Sequence, residues 1–253
     1  MTFDIREVRA RRPASGKVLV YWLGGAGFLF HCAGGEVICV DPYLSDAVEQ
    51  TYCGFRRLSL APVTANELVF DLLLLTHDHG DHLDVGSVET LTRTNPNCRV
   101  LAPKPCAEFL RDHHIAYELV APGVMSSIGS VTIETVAADH GELCPGAVGF
   151  MLTVSGRQLY FTGDTAYNKE MMAEMIAARP EILIPCINGA YGNLSEREAA
   201  ALAGECGARV VIPSHFGLFR EHGGCPRRFW EALRGEAPAA RLLVLTPGRG
   251  VEI

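Results

Sequence analysis

His77, Asp78, His79, Gly80, Asp81 and His82 stand together as HDHGDH. Few side chains are better suited to holding a divalent ion or moving a proton. Neutral imidazoles bind such an ion without cancelling its charge, and the ion can then lower the pKa of a bound water to about 7, supplying hydroxide at neutral pH. Three more ligand-type positions follow, each where an apolar stretch stops: His140 after SVTIETVAAD, Asp164 after RQLYFTG, and His215 after RVVIPS. They sort into two shells. His77, His79 and His140 suit one ion, and Asp81, His82 and His215 a second. Asp164 is placed to give one carboxylate oxygen to each. A bridging carboxylate holds two cations close despite their repulsion, and a metal would stabilise the oxyanion that forms. Asp81 is also placed to orient the hydroxide or pass its proton to the leaving group.

Other residues read as supports or substrate contacts. Thr76 and Asp41 are expected behind the ligands, fixing their orientation, and Asp78 should point outward and brace the loop. Lys104, at a strand end, is a candidate for a substrate anion. Asn188, Tyr191 and Asn193 fall in one glycine-rich loop and are candidates for gripping a polar substrate. Arg220, His222, Arg227 and Arg228 offer an anion clamp, with Arg220 as its candidate contact, against the plainer reading of a mostly solvated surface. His113 and His114 suit a helix C-terminus. His31 and the cysteines read as filler, and Met171, Met172 and Met175 as a core stripe.

The elements that must position these groups are short and apolar. KVLVYWL, FLFHC and EVICV, joined by glycine turns, read as a meander of three strands. Residues 43–63 read as an irregular loop bordering the site. A strand at 72–75 leads into the histidine cluster, followed by helices at 84–94 and 105–113 around the strand CRVLAP. A second block of strands follows (IAYELV, SVTIETVAA, AVGFMLTV, RQLYFTG). Helices are then expected at 169–179, at 195–206 with the capping box Ser195-x-x-Glu198, and at 226–234. They alternate with the strands EILIPC and RVVIPSH, and closing strands fall near 242 and 251. Two such series predict an α/β, four-layer αββα sandwich in a single domain over 1–253.

The chain has 253 residues, is 48% apolar and carries a formal charge of −7. A full core is within reach, while an acidic balance argues against a nucleic-acid partner. Nine cysteines without a CxxC pair suit reduced thiols rather than a disulfide frame. The mixed-charge start MTFDIREVRARRP is unlike a signal peptide, and no apolar run is long enough to span a membrane. A cytoplasmic protein with a small, anionic substrate and a possible homo-oligomeric state is expected.

With THDHGDH at 76–82, His140, GDT at 163–165 and His215 after an IPS strand, the sequence resembles the metallo-β-lactamase-fold hydrolases along nearly its whole length. The resemblance implies the αββα sandwich, the dinuclear site and hydrolytic chemistry. Finer motifs are similar to the branch containing L-ascorbate 6-phosphate lactonase: WLGGAGF at 22–28, APKP at 102–105, INGAYGN at 187–193 and VVIPSHF at 210–216. That branch implies opening of a phosphorylated sugar-acid lactone. The chain departs from it at Ala166, where a histidine is expected, at His140, where a carboxylate is expected, and in lacking a long middle insertion. The reading is therefore a metal-dependent hydrolase with two divalent ions, zinc or manganese before iron, opening a lactone or cleaving an ester-like bond. Alternatives are a phosphodiesterase acting on a small nucleotide or phospholipid headgroup, a redox member using iron, and a binding protein with a structural metal.

Overall fold

Strand β1 (Val18–Gly24) shows why the fold is layered: Val18, Val20 and Trp22 alternate with Leu19, Tyr21 and Leu23, and all six are buried. A strand apolar on both faces must be covered on both. The computed structural model describes residues 11–52 and 54–253. The start of the charged N-terminal arm and Cys53 lie outside the described residues.

Strands β2 (Gly27–Cys32) and β3 (Val37–Val40) complete the expected antiparallel meander. Strands β4 (Leu72–Leu74), β5 (Arg99–Pro103) and β6 (Glu118–Val120) then add in parallel. The last strand of the chain, β14 (Gly250–Glu252), pairs with the free edge of β1. The second sheet repeats this plan. Strands β7 (Met125–Ile128), β8 (Val131–Ala137), β9 (Val148–Val154) and β10 (Arg157–Phe161) are antiparallel neighbours. Parallel additions follow: β11 (Ile182–Ile184), β12 (Val210–Val211) and β13 (Arg241–Leu242). Each sheet has seven strands, in the orders β14-β1-β2-β3-β4-β5-β6 and β13-β12-β11-β10-β9-β8-β7.

Period-two alternation sorts the core into three apolar layers. Val20, Phe28, Phe30 and Leu74 from the first sheet meet Ile133, Phe150, Phe161 and Ile184 from the second. On the outer face of the first sheet, Leu19, Leu29 and Leu73 pack with Leu91 of α2 (Val88–Thr94) and Leu110 of α3 (Ala107–Asp112). On the outer face of the second, Tyr160, Leu183 and Val211 pack with residues of three helices. These are Met175 of α4 (Ala173–Ala178), Leu202 of α5 (Glu196–Cys206) and Phe229 of α6 (Pro226–Glu236). The expected αββα sandwich is the observed fold.

The differences are local. Loop 43–63 contains one short helix, α1 (Ala47–Thr51). Helices α2, α3 and α4 are shorter than predicted because their first turns are irregular or 3-10, as at Lys104–Cys106. Strand β7 escapes sequence reading because MSSI lies at a sheet edge, partly exposed and without an apolar face. The capping box of α5 is formed: the Ser195 hydroxyl accepts from Glu198 N–H, and the Glu198 carboxylate accepts from Ser195 N–H at 2.8 Å. Met172 and Met175 are buried, whereas Met171 is exposed. Among the described residues the cysteines are free and mostly buried, and no helix is long and apolar enough to cross a membrane.

Candidate metal centre

Every ligand-type residue singled out above follows the C-terminal end of a strand. Thr76 and the histidine cluster follow β4, Asp41 follows β3, His140 follows β8, and Asp164 follows β10. His215 comes after β12 by way of Ile212, Pro213 and Ser214 rather than directly from the strand. These strands run the same way across both sheets, so their exits share one rim, where open α/β folds bind ligands.

The side chains converge there. His77 Nε2 lies 3.0 Å from His79 Nδ1, and His140 Nε2 lies 3.3 Å from the same atom. Two donors about 2.0–2.1 Å from a tetrahedral zinc stand about 3.3 Å apart, so this spacing fits an ion held by all three. A second group forms beside the first. His82 Nε2 is 3.1 Å from His215 Nε2, and Asp81 Oδ2 is 3.2 Å from the same His215 atom. Asp164 faces this group with both oxygens, Oδ2 at 3.2 Å from His215 Nε2 and Oδ1 at 3.5 Å from His82 Nε2. It also groups with His77 and His82 within ligand spacing, although both of its oxygens approach the second group, where one to each group was expected.

Hydrogen bonds behind the ligands set their tautomers. The Thr76 hydroxyl, 2.5 Å from Asp41 Oδ2, donates to it and can therefore accept from His77 Nδ1 at 2.9 Å. His82 Nδ1 donates to Asp41 Oδ2 at 2.7 Å. With a cation bound, both rings would present an unprotonated Nε2 to the rim. His79 Nε2 faces the Leu143 carbonyl at 3.3 Å, leaving Nδ1 as its free donor atom. Asp41 and Thr76, both fully buried, sit behind the ligands as predicted. Asp78 is exposed and accepts from the Cys144 thiol, tying its loop to the segment after β8, and it also borders the cavity.

Electrostatics follow from this packing. In the absence of a cation, burial works against charge on His82 and His215. Asp164 and Asp81 outweigh it, raising His82 and pushing His215 up to about 9. Burial likewise opposes ionisation of Asp81 and Asp164, yet the neighbouring imidazoles hold both carboxyls well below the usual range. Burial, reinforced by the His82 imidazole, holds His77 well below the usual imidazole range. The rim thus pairs fixed negative charge with imidazoles, and protons fill the place of a cation.

Glycines and strained residues aim the loops. Gly163 adopts φ 63°, and a Cβ there would meet Val148 O at 2.6 Å, so only glycine lets GDT turn Asp164 inward. Gly25 O, in the WLGGAGF turn, accepts from both His215 N and Trp22 Nε1. That first-sheet turn therefore holds a second-sheet ligand. Asp41, Tyr191 and His215 have left-handed backbones without being glycine, a strain that tends to gather at functional sites.

The predicted substrate contacts scatter. Tyr191 lines the cavity above the rim. Asn193 does not reach it: it is buried, and its Nδ2 donates to Asp164 Oδ2 at 2.6 Å, which makes it a support for that carboxylate. Asn188 is buried beneath the same loop. Lys104 borders a neighbouring depression with Glu108 and Arg111 that shares Asp78 and Leu143 with the cavity, and Arg220 is exposed and does not line it. His222, read above as part of an anion clamp or of a mostly solvated surface, instead packs against the metal-type cluster. It is buried, stacks at 4.6 Å on His215 and places Nε2 3.9 Å from Asp81 Oδ2. Burial, reinforced by His215, pushes it down to about 4, so it is neutral at pH 7. Its only sequence signal was its spacing behind His215. Sequence reasoning missed Asp84: it anchors the 43–46 turn by accepting from Leu44 N and Ser45 N.

Comparison with known proteins agrees with this architecture. The Beta-lactamase superfamily domain family matches residues 37–216. A UPF0173 metal-dependent hydrolase of Anaeromyxobacter sp. (strain K) is 29% identical over 95% of this chain and 88% of its own length. Another from Pyrococcus furiosus is 30% identical, over 93% and 100% respectively. Among solved structures, Igni18, a metallo hydrolase from Ignicoccus hospitalis, superposes with a TM-score of 0.73 at 20% identity, covering 94% of this chain and 98% of that one.

Proposed function

The chain belongs to the β-lactamase superfamily, with the UPF0173 metal-dependent hydrolases as its relatives, and from that premise we propose that it hydrolyses an ester-type bond of a small molecule, a lactone ring in the first instance. The observation that carries this reading is the convergence of His77, His79 and His140 beside Asp81, His82 and His215, with Asp164 between them. The donor set, imidazole and carboxylate without thiolate, suits two zinc or manganese ions, with iron a poorer third. Such ions would supply hydroxide at neutral pH and stabilise negative charge on the carbonyl oxygen.

The chain's own residues do the rest. Asp41 and Thr76 keep His77 and His82 in the tautomer that turns Nε2 to the rim. Asn193 holds one oxygen of Asp164, so that the carboxylate cannot rotate away from both groups. Asp81, partly buried at the cavity edge, receives the proton that passes to the leaving oxygen. The lactone comes from the sequence resemblance. The phosphate of that resemblance is not retained, because the cavity wall includes neither lysine nor arginine among the described residues.

Elemental analysis of the purified protein, paired with turnover of a lactone panel and a phosphodiester panel, tests the reading. Two metal equivalents with lactone turnover, abolished by chelation and restored by metal, are expected. Phosphodiester cleavage without lactone turnover would transfer the site to phosphoryl chemistry. One tightly held ion and no turnover of either panel would overturn the hydrolase reading.

A further inference from the structure

The space above the rim is a cavity of about 360 Å³ with a sharply divided lining. Its floor is the metal-type cluster. Its wall is aromatic and aliphatic: Val48, Tyr52, Phe55, Tyr191 and Phe219, with His222 between wall and floor. The rings touch one another in sequence. Phe219 lies edge-on to His222 at 4.9 Å and to Phe55 at 5.6 Å. Phe55 in turn contacts Tyr191 at 6.1 Å and Tyr52 at 6.3 Å. Tyr191 closes the arc on His222 at 5.9 Å.

Three features suit this arc to an apolar ligand. First, with His215 a neutral ligand in the metal-loaded protein, the charged side chains on the lining are all acids, Asp78, Asp81 and Asp164. The nearby cation Arg57 is already engaged, donating to Tyr43 O at 2.8 Å and lying over the Tyr43 ring. Among the described residues that line the cavity, an anionic group on the substrate would find no cationic side chain beside the metals. Second, Tyr52 and Tyr191 are large rings left 57% and 47% exposed at the mouth, and Tyr191 is held there on a left-handed backbone. A bulky residue accepts that strain only where its surroundings impose it. Third, the volume is right. An apolar cavity of about 150 Å³ takes up benzene, so this one accommodates an aryl or branched alkyl group together with the reacting carbonyl.

We propose that the arc formed by Tyr52, Phe55, Tyr191 and His222 is a substrate-binding cage, and that the substrate is an uncharged ester or lactone carrying an aryl or branched alkyl group. This rests on the hydrolase reading for its reaction but on the cavity wall for its chemistry. Phe55 and Tyr191 set the specificity. They grip the apolar group while the carbonyl rests over His215 and Asp164. Hydrolysis adds one water across the C–O bond: the acyl carbon gains the hydroxyl, and the leaving oxygen gains the proton.

Two measurements test this with the metal-loaded protein. The first is kcat/KM across γ-lactones bearing hydrogen, methyl, butyl, phenyl or carboxylate at the ring carbon next to oxygen. Each added methylene should raise kcat/KM about three- to fourfold until the cage is full, with phenyl best and the carboxylate analogue worse than hydrogen. Phe55→Ala and Tyr191→Ala should raise KM for the phenyl lactone about tenfold and shrink the phenyl-over-hydrogen ratio of kcat/KM by the same factor, because each ring supplies apolar contact that only the substituted lactone makes. A flat series, or a preferred carboxylate, would overturn the proposal. The second is calorimetric binding of benzamide derivatives, which lack the hydrolysable ester. Binding that weakens in both variants upholds the cage even if no ester is turned over, so that the hydrolase reading falls alone. Undiminished binding in both variants refutes the cage while leaving that reading intact.

Discussion

At the scale of single residues, the rim separates side chains that aim at the ligand position from side chains that aim those. His79 belongs to the first kind. It offers Nδ1 to His77 and His140 and has no other link to the first group. His79→Ala should therefore lose at least one metal equivalent by elemental analysis and nearly all hydrolysis. An unchanged metal content would end the assignment. Asn193 belongs to the second kind. It touches only Asp164 among the rim residues, so Asn193→Ala should lower metal affinity or activity by about 10- to 100-fold, as losses of such outer partners do. Chelator competition reads the affinity directly. A wild-type affinity would show that Asp164 is held by other means. Sequence distinguished the two kinds unevenly. Asp41 and Thr76 were placed as supports because one precedes proline at a strand end and the other opens the histidine cluster. Asn193 was read as a substrate contact because nothing local reveals that its loop folds inward.

At the scale of elements, the site depends on turns that only glycine permits. Gly163 is the clearest case, with φ 63° and a carbonyl where a Cβ would stand. Gly163→Ala should destabilise the protein by about 1–3 kcal/mol and also misplace Asp164, so that metal is lost from protein that still folds. The helix caps give the contrast. Ser195→Ala removes half of the capping box on α5 and should cost about 1 kcal/mol of stability with metal content untouched. Thermal melts and elemental analysis on the same two samples separate these outcomes. If Gly163→Ala kept its full metal complement, the turn would be structural only. The capping box was readable because it lies within four consecutive residues. Strand β7 was not, because its pairing with β8 comes from the sheet and not from any pattern in MSSI.

At the scale of the whole molecule, the rim links stability to pH and to metal. Without a cation, His215 is pushed up to about 9 by Asp164 and Asp81, which outweigh its burial. A folded-state pKa above the ordinary value of about 6.5 contributes stability that is complete below that value and is lost as pH rises through 9. Metal-free protein should therefore lose Tm between pH 7 and pH 9.5, by on the order of 5 °C. Metal-loaded protein should not, because His215 is then a neutral ligand. Its metal affinity should instead rise over the same range as protons cease to compete. Differential scanning calorimetry of both forms decides this, and parallel Tm profiles would remove His215 from the ligand set.

What the sequence by itself determined was whatever lies close together along the chain. This includes the HDHGDH cluster, the apolar alternation that demands two buried sheets, the strand ends where ligands sit, and the α5 cap. The rim placement of these residues was legible because a strand followed at once by histidine or aspartate leaves that residue on a sheet rim whatever the remainder does. Tertiary structure decided which rim residues meet. It brought His222 against Phe55 and Tyr191, drew Asn193 onto Asp164, and left Lys104 and Arg220 out of the cavity lining. These outcomes depend on how loops 43–63, 185–195 and 215–225 pack over the rim. A loop's direction is set by contacts with distant segments, and no local pattern of residues records it.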